Sequence, residues 1–203
     1  NTIGLNKYVE GREIGEIWGL QTIGIAKSEE EMQAHLSSLP KGGQEAIGSK
    51  WSAGDIMYRD LNGDGKISKG ASTLDDHGDL KVIGNSTPRY FFGIDLNADW
   101  KGFDVRLFFQ GVMKRDYWGK DNFCGYLFGA RGDKDMWHAR GLVEHQDYFR
   151  AQAIGIDGHE LPANLDAYYP RPVFKEGAKN QETQSRYLQD ASYIRLKNFQ
   201  LGY

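Results

Sequence analysis

The sequence feature that most constrains the fold is a strict alternation of apolar and other residues between Arg89 and Gly111. The run "RYFFGIDLNADW" leads through Lys101-Gly102 into "FDVRLFFQG". Successive side chains of a strand point to opposite faces of a sheet. The pattern therefore predicts an antiparallel hairpin over residues 89–111, with a tight Lys-Gly turn, one mostly polar face and one apolar face. The apolar positions are Tyr90, Phe92, Ile94, Leu96, Ala98, Trp100, Phe103, Val105, Leu107 and Phe109.

Two environments suit such a hairpin: the core of a soluble β-sandwich and the wall of a transmembrane β-barrel. Hairpins of this kind are more frequent in soluble proteins. Each run, however, has about 8–12 residues, the length that crosses an outer membrane as a tilted strand. Aromatic residues stand at the ends of the apolar face, the opposite face is charged, and the short turn contrasts with very long flanking segments. These features favour a barrel-type hairpin.

Residues 112–190 show no comparable alternation, and we predict that they form a long extracellular loop. The loop is rich in aromatic residues. These can stack on sugar rings or contact a lid protein, and they can equally pack the loop against itself. They are Tyr117, Trp118, Phe123, Tyr126, Phe128 and Trp137.

Alternation returns in "ASYIRLKNFQLGY", which predicts a truncated barrel-type strand at residues 191–203. Its apolar parity changes at Lys197, from Ile194 and Leu196 to Phe199 and the residues beyond it. Either a β-bulge lies near Lys197, or the first half of the strand stands clear of lipid and meets loops. We favour the second interpretation.

Residues 1–88 are predicted to form an extracellular loop region that contains one short helix at residues 28–39. Ser28 is a suitable N-cap, and Glu31 completes a capping box three residues later. Pro40 follows the predicted end of the helix.

Residues 60–68, "DLNGDGKIS", form an EF-hand-like turn. Asp60, Asn62 and Asp64 occupy positions 1, 3 and 5 of such a loop, and the carbonyl of Lys66 occupies position 7. Oxygen ligands at alternate positions of a turning backbone suit Ca²⁺. No helical pattern flanks the turn, so a helix–loop–helix calcium sensor is not predicted.

The closing ligand of this loop is missing from its usual place, because position 12 is Ala71. Acidic residues follow at Asp75, Asp76 and Asp79. If an insertion delays the closing ligand, one of these residues would take its position. The alternative is a metal-free turn held by Asx hydrogen bonds to its own backbone. The predicted calcium ligands are Asp60, Asn62, Asp64, Lys66 and Asp79.

Composition excludes several classes of function. The net charge of −3 is too small to indicate a nucleic acid or an anionic membrane surface as partner. Cys124 is the one cysteine, which excludes an internal disulfide and a cysteine-ligated metal site. The sequence contains no nucleophile-elbow, P-loop or dinucleotide-binding motif. Zinc-type spacing is absent among the histidines, which are His35, His77, His138, His145 and His159.

The chain shows neither an apolar run of about 18 residues nor a signal peptide. It begins "NTIGLNKYVEG" and ends "LKNFQLGY" in the middle of an alternating run. We expect both ends to be cut from a longer polypeptide, so that the missing signal peptide says nothing of the parent protein.

These pieces together resemble the C-terminal region of SusC/RagA-type TonB-dependent outer-membrane transporters. The matching stretches follow the family order and are "GREIGEIWGLQTIGIAKSEEEM", "GDIMYRDLNGDGKIS", "LDDHGDLKVIGNSTPRYFFGIDLNADWKGFDVRLFFQGV", "LDAYYPRP" and "LQDASYIRLKNFQLGY". The match is weakest within residues 113–160. The resemblance implies a mainly β fold, with antiparallel strands from the C-terminal part of a transmembrane β-barrel, long extracellular loops and a few short helices.

The resemblance also implies a function. Such transporters import nutrients, glycans or oligopeptides, through the outer membrane of a Gram-negative bacterium. They are surrounded by outer-membrane lipid, carry a SusD-like surface lipoprotein as a lid, and are driven by the TonB complex through an N-terminal part. Because the plug and most strands of such a barrel precede this region, the chain alone is not expected to transport. The resemblance to a transporter family also implies that the chain is not an enzyme.

Two other classes of function stay open from the sequence. One is a secreted, calcium-dependent carbohydrate-binding β-module, which lipid-facing behaviour of the hairpin would exclude. The other is a polysaccharide-degrading enzyme domain. Paired acids such as Asp75/Asp76 and Asp133/Asp135 are present, but with 28 acidic residues in 203 such pairs are expected by chance. Hydrolysis also needs two carboxyl groups at a defined separation.

Overall fold

The computed structural model describes residues 3–119, 146–156, 158–173 and 177–203. The fold is mainly antiparallel β, as predicted. The described part of the chain has one α-helix, α1 (Glu29–Ser37), and a 3₁₀ helix at Gly177–Asn180. None of its helices is both long and apolar enough to span a membrane. The strands are β1 (Glu16–Leu20), β2 (Thr22–Ile25), β3 (Ile56–Tyr58), β4 (Leu80–Asn85), β5 (Tyr90–Trp100), β6 (Phe103–Met113), β7 (Asp116–Tyr117), β8 (Ile154–Ile156), β9 (His159–Leu161), β10 (Gln189–Asp190) and β11 (Tyr193–Gly202).

The chain divides into two compact units. The first, the loop unit, contains Asn1–Tyr8, Trp18–Ile83 and Gly119–Tyr187. The second, the sheet unit, contains Val9–Ile17, Gly84–Trp118 and Leu188–Tyr203.

The loop unit contains short strands, the helix and a buried core. β2 pairs with β3, and β8 pairs with β9, both antiparallel. The Ser28 hydroxyl accepts the Glu31 N–H at 3.2 Å, which caps α1 at its N-terminus. The Glu31 carboxylate accepts the Lys27 N–H at 2.7 Å, so the reciprocal bond of the capping box goes one residue further back. Residues with less than 2% exposure form the core, namely Leu20, Met32, Ile56, Tyr58, Ile67 and Tyr187.

The sheet unit is built on a three-stranded antiparallel sheet in the order β11-β6-β5. β5 and β6 pair without interruption from Tyr90 opposite Met113 to Trp100 opposite Phe103. The connecting turn has Lys101 at φ 49° and Gly102 at φ 89°. Two successive positive φ angles are those of a type I′ turn, whose twist matches that of the flanking strands.

β11 contains a β-bulge at Lys197. Leu196 lies opposite Phe109, whereas Asn198 lies opposite Phe108, so one residue of β11 has no counterpart in β6. The structure therefore shows the interpretation that we did not favour, a β-bulge at Lys197, as the origin of the change of parity. Because the bulge adds one residue to β11, the apolar positions before and after Lys197 lie on the same face of the sheet, and Ile194 is among them.

One face of the sheet is therefore apolar across all three strands. Leu96 is 52% exposed, Phe199 58% and Leu201 63%. In cross-strand register, Leu96 faces Leu107 on β6, and Leu107 faces Phe199 on β11. A contiguous apolar surface of this kind marks contact with a lipid or protein partner.

Several sequence predictions lie outside the described residues. They concern Phe123, Cys124, Tyr126, Phe128, Asp133, Asp135, Trp137, His138 and His145. The described parts of the predicted loop at residues 112–190 contain the short strands β7 to β10 and the 3₁₀ helix.

Candidate functional site

The EF-hand-like turn wraps around the carboxylate of Asp60, which follows β3 closely. This carboxylate accepts the N–H of Gly63 at 2.6 Å and the N–H of Gly65 at 2.9 Å. Gly65 has φ 80°, which an L-residue rarely adopts. Asp64 donates its N–H to the Asn62 side chain at 2.9 Å. The backbone thus curls around side-chain oxygens, as it does in a calcium loop.

Asp79 joins this turn from outside, immediately before β4. Its side chain is fully buried. One carboxylate oxygen accepts the Leu61 N–H at 2.8 Å, and the other accepts the Ser68 N–H at 2.7 Å. Asp79 therefore binds both ends of the turn through hydrogen bonds. The spacing of residues along the sequence does not predict this arrangement.

Three of the predicted ligands converge. Carboxylate oxygens of Asp60, Asp64 and Asp79 all lie within 4.8 Å of one another. Two oxygens bound to one Ca²⁺ at about 2.3–2.6 Å are at most about 5 Å apart, so the spacing fits this ion. Three carboxylates so close together repel one another, and a divalent cation would offset that repulsion.

The other two predicted ligands lie in the same turn. The Asn62 side-chain oxygen is engaged by the Asp64 N–H. The Lys66 ammonium lies 4.0 Å from the Asp64 carboxylate, and Lys66 donates its own N–H to Asp64 at 3.1 Å. Ala71, which stands at the usual closing position, donates its N–H to Asp76 at 3.0 Å. The Asx hydrogen bonds of a metal-free turn are thus present alongside the convergent carboxylates.

The apolar face of the sheet unit is the second candidate site. At the turn end, the rings of Phe103 and Tyr203 lie 4.7 Å apart, and the Lys101 ammonium lies 4.9 Å from the Trp100 ring centre. Tyr90 stands at the other end of β5, 57% exposed. Aromatic side chains thus border the apolar face at both ends of the hairpin.

The opposite face of the sheet is mostly polar, although Phe91 and Phe108 also belong to it by register. Arg106 donates two hydrogen bonds to Asp95, at 2.5 and 3.1 Å, diagonally across β5 and β6. Side chains of Asn97, Gln110 and Gln200 share this face by register. The sheet thus separates an apolar surface from one on which the charged and amide side chains are gathered.

A buried ionic cluster in the loop unit has no counterpart in the sequence predictions. Asp55 is fully buried, and Lys179 is 1% exposed. The Asp55 carboxylate accepts hydrogen bonds from Lys179 at 2.8 Å, from Arg171 at 3.0 Å twice and from Asn180 at 2.9 Å. Lys179 also donates to the carbonyls of Ser49 at 3.0 Å and Lys50 at 2.8 Å. Buried charges are tolerated when they are paired and hydrogen-bonded in this way.

The electrostatics of the cluster favour an ionised Asp55. Burial alone would raise its pKa. The hydrogen bonds from Arg171, Lys179 and Asn180 and the charge of Lys179 outweigh burial and hold the pKa of Asp55 below its ordinary value of 3.8. The cluster is therefore a structural anchor that joins β3 to distant parts of the chain.

Comparison with known proteins identifies relatives of one class. The chain is 27% identical over 197 residues, 96% of its length, to TonB-dependent receptor P3 of Formosa agariphila. It is 25% identical over 209 residues, 98% of its length, to TonB-dependent receptor P26 of the same organism. It is 27% identical over 150 residues, 74% of its length, to TonB-dependent receptor P39.

The predicted resemblance to TonB-dependent receptors is thus confirmed over most of the chain. The chain spans 15%, 16% and 12% of the lengths of these three relatives. No family model matches the chain, and no solved structure matches it.

Proposed function

We propose that the chain forms part of the barrel wall and the extracellular loops of a SusC/RagA-type TonB-dependent transporter. The transporter would import glycans or oligopeptides through the outer membrane of a Gram-negative bacterium, driven by the TonB complex and covered by a SusD-like lipoprotein. In this proposal the chain carries no enzymatic activity. The observation that carries the proposal is the continuous apolar face of β5, β6 and β11.

The dimensions of this face support a membrane-spanning role. β5 and β6 each have 11 residues. At about 3.4 Å per residue such a strand is about 34 Å long. With a tilt of about 45°, it covers a height of about 24 Å, which matches the apolar band of outer-membrane barrels.

The distribution of side chains supports the same role. Lipid-facing positions of such barrels are apolar and are bordered by aromatic residues, whereas positions that face the interior are polar. Trp100 and Tyr90 border the apolar face, and the Arg106–Asp95 pair lies on the opposite face. The similarity to three TonB-dependent receptors supports the class of transporter.

Nitroxide labels on alternating residues test this proposal. In the full-length receptor in lipid vesicles, labels at Leu96 and Phe199 are expected to be accessible to oxygen, which concentrates in lipid. Labels at Asn97 and Gln200 are expected to be accessible to a water-soluble nickel chelate instead, because these residues lie on the polar face. The measurement is the collision rate of each label by electron paramagnetic resonance.

The bulge supplies an internal control for this experiment. Ile194 lies before Lys197 and Phe199 after it, yet both belong to the apolar face. The two labels should therefore give the same oxygen preference. Nickel access at Leu96 and Phe199 would contradict the barrel wall and would favour the secreted carbohydrate-binding module.

We also propose that Asp60, Asn62, Asp64, Lys66 and Asp79 hold Ca²⁺ in an extracellular loop. The 4.8 Å clustering of three carboxylates and the fit of their spacing to Ca²⁺ support this proposal. The residues that would hold Ca²⁺ follow β3 and precede β4 in the chain. It would stabilise the turn and supply no chemistry of its own.

Replacing Asp64 by asparagine is expected to weaken Ca²⁺ binding by about tenfold, because one charged ligand is lost. The asparagine side chain retains an oxygen that can accept the Lys66 N–H, so the turn itself should persist. Calorimetric titration with Ca²⁺ measures the change. Asp76→Asn is the matched control, since Asp76 lies outside the convergent carboxylates. Absence of Ca²⁺ binding by the unsubstituted protein would contradict the site.

A further inference from the structure

The EF-hand-like turn contains the one Asn-Gly pair of the sequence, Asn62-Gly63. An asparagine side chain can react with the backbone nitrogen of the next residue to form a succinimide. Glycine in that next position hinders the reaction least, because it lacks a Cβ atom. Gly63 has φ 72°, and a Cβ atom built there would meet nothing within 4 Å. The pair thus meets the steric requirement of this reaction.

The nucleophile of the reaction is the backbone nitrogen of Gly63, which must lose its proton. Its N–H donates to the Asp60 carboxylate at 2.6 Å. A general base has to lie within about 2.6–3.2 Å of the group that it deprotonates. The second oxygen of this carboxylate accepts the Gly65 N–H at 2.9 Å, which fixes its orientation. Asp60 is therefore placed as the base for the attack by Gly63.

The electrophile is the side-chain amide carbon of Asn62. The oxygen of this amide accepts the Asp64 N–H at 2.9 Å. Attack on the carbon places negative charge on this oxygen, and an N–H donor that is already in position stabilises such an oxyanion. The same hydrogen bond folds the side chain back towards the backbone that follows it, as in an Asx turn. Base, electrophile, nucleophile and oxyanion donor all lie within residues 60–64, so the arrangement is local to the turn.

We propose that Asn62 deamidates by this intramolecular reaction, with Asp60 as the base and the Asp64 N–H as the oxyanion donor. A bond forms between the Gly63 nitrogen and the amide carbon of Asn62, and the proton of that nitrogen passes to Asp60. The bond between the amide carbon and the side-chain nitrogen then breaks, and this nitrogen takes the proton from Asp60 and leaves as ammonia. Water opens the succinimide at either of its two carbonyl groups, which gives aspartate or isoaspartate at position 62. Water is the only co-reactant.

The modification changes the turn in a way that lies beyond the proposed function. Aspartate at position 62 adds a carboxylate to a turn in which those of Asp60, Asp64 and Asp79 already lie within 4.8 Å of one another. Isoaspartate instead adds a methylene group to the backbone. The reaction itself needs neither transport nor a bound ion.

Mass spectrometry of the purified full-length receptor tests the proposal. The receptor is incubated at neutral pH in heavy-oxygen water with a chelator of divalent cations, and the peptide that contains position 62 is isolated after proteolysis. Heavy oxygen marks the molecules that deamidate during the incubation. Asn62 is expected to react at least about tenfold faster in the folded receptor than in the same receptor unfolded in urea, because the fold holds the reacting groups in place. An equal or slower reaction in the folded receptor would overturn the proposal.

Asp60→Asn separates a base from a hydrogen bond that merely shields the Gly63 N–H. Asparagine can still accept this N–H but is no base, so the rate of modification of Asn62 is expected to fall at least about tenfold. A shielding hydrogen bond predicts the opposite, a rate that is unchanged or raised, and that result in a folded variant would refute the role of Asp60. If the variant does not fold, the comparison of the folded and unfolded unsubstituted receptor decides.

Asn85 is an internal control in the same sample. Its side-chain oxygen accepts the Thr87 N–H at 2.8 Å, so it has the same Asx hydrogen bond as Asn62. The Ser86 N–H, however, donates to the backbone carbonyl of Gly15 at 2.8 Å and has no carboxylate as acceptor. Asn85 should therefore stay unmodified over the same period, and modification at the rate of Asn62 would speak against a specific site.

Asp76→Asn is the matched control variant. The Asp76 carboxylate accepts the Ala71 N–H at 3.0 Å and touches none of the reacting groups. Its replacement should leave the rate at Asn62 unchanged. A fall equal to that in Asp60→Asn would show a general effect of charge and would overturn the assignment of the base.

Discussion

Leu96→Arg and Leu107→Arg are each expected to reduce assembled full-length receptor in the outer membrane by at least tenfold. The two leucines lie opposite each other in the middle of the apolar face, between the aromatic residues at its ends. An arginine on the lipid face of a barrel at mid-membrane costs about 2–4 kcal/mol. The measurement is the amount of heat-modifiable, protease-resistant receptor in isolated outer membranes.

Two other substitutions provide the comparison. Leu96→Met retains an apolar side chain of similar volume and should assemble normally. Asn97→Glu adds a charge on the polar face opposite Arg106, where opposite charges across strands are favourable. Normal assembly of both arginine variants would contradict the barrel assignment, whereas loss of assembly in Asn97→Glu as well would indicate a general intolerance of the hairpin.

The hairpin could be predicted from sequence because its determinants are local. The alternation between Tyr90 and Trp100 fixes which side chains share a face, and Lys101-Gly102 fixes the turn. The bulge at Lys197 could not be decided in the same way. A change of parity in one strand is compatible with two arrangements, and only the register against β6 distinguishes them.

The acidic turn was predictable in part for the same reason. Asp60, Asn62 and Asp64 follow the spacing of a calcium loop. Asp79 could be predicted as a ligand only because several acidic residues follow the turn. The sequence does not fix at which of them the chain comes back to the turn. The structure adds the buried carboxylate of Asp79 between the N–H groups of Leu61 and Ser68.

The Asp55 cluster carries no sequence signal at all. Arg171, Lys179 and Asn180 lie 116, 124 and 125 residues away from Asp55 along the chain. None of the three stands in a segment whose local pattern predicts a contact with Asp55. Side chains so far apart in sequence are brought together only by the tertiary fold, and no periodicity or motif predicts their contacts.

Asp55→Asn is expected to destabilise the loop unit by about 3–5 kcal/mol, because it leaves the buried Lys179 ammonium without its carboxylate partner. The side chains of both residues are at most 1% exposed. Hydrogen exchange measured by mass spectrometry localises the effect. Amides of Ile56 and Tyr58 should lose protection, since they donate to Asn180 and Gln44 in the same buried polar network.

The pH dependence of this variant gives an independent check. Because the pKa of Asp55 is lowered in the folded state from its ordinary value of 3.8, its contribution to stability is complete above that ordinary value and is lost as the pH falls through the folded value. Asp55→Asn should abolish that part of the acid sensitivity. Asp166→Asn, which removes an exposed ion pair with Lys27, should leave both protection and acid sensitivity unchanged. Equal protection of Ile56 and Tyr58 in Asp55→Asn and in the unsubstituted protein would show that the cluster does not anchor the loop unit.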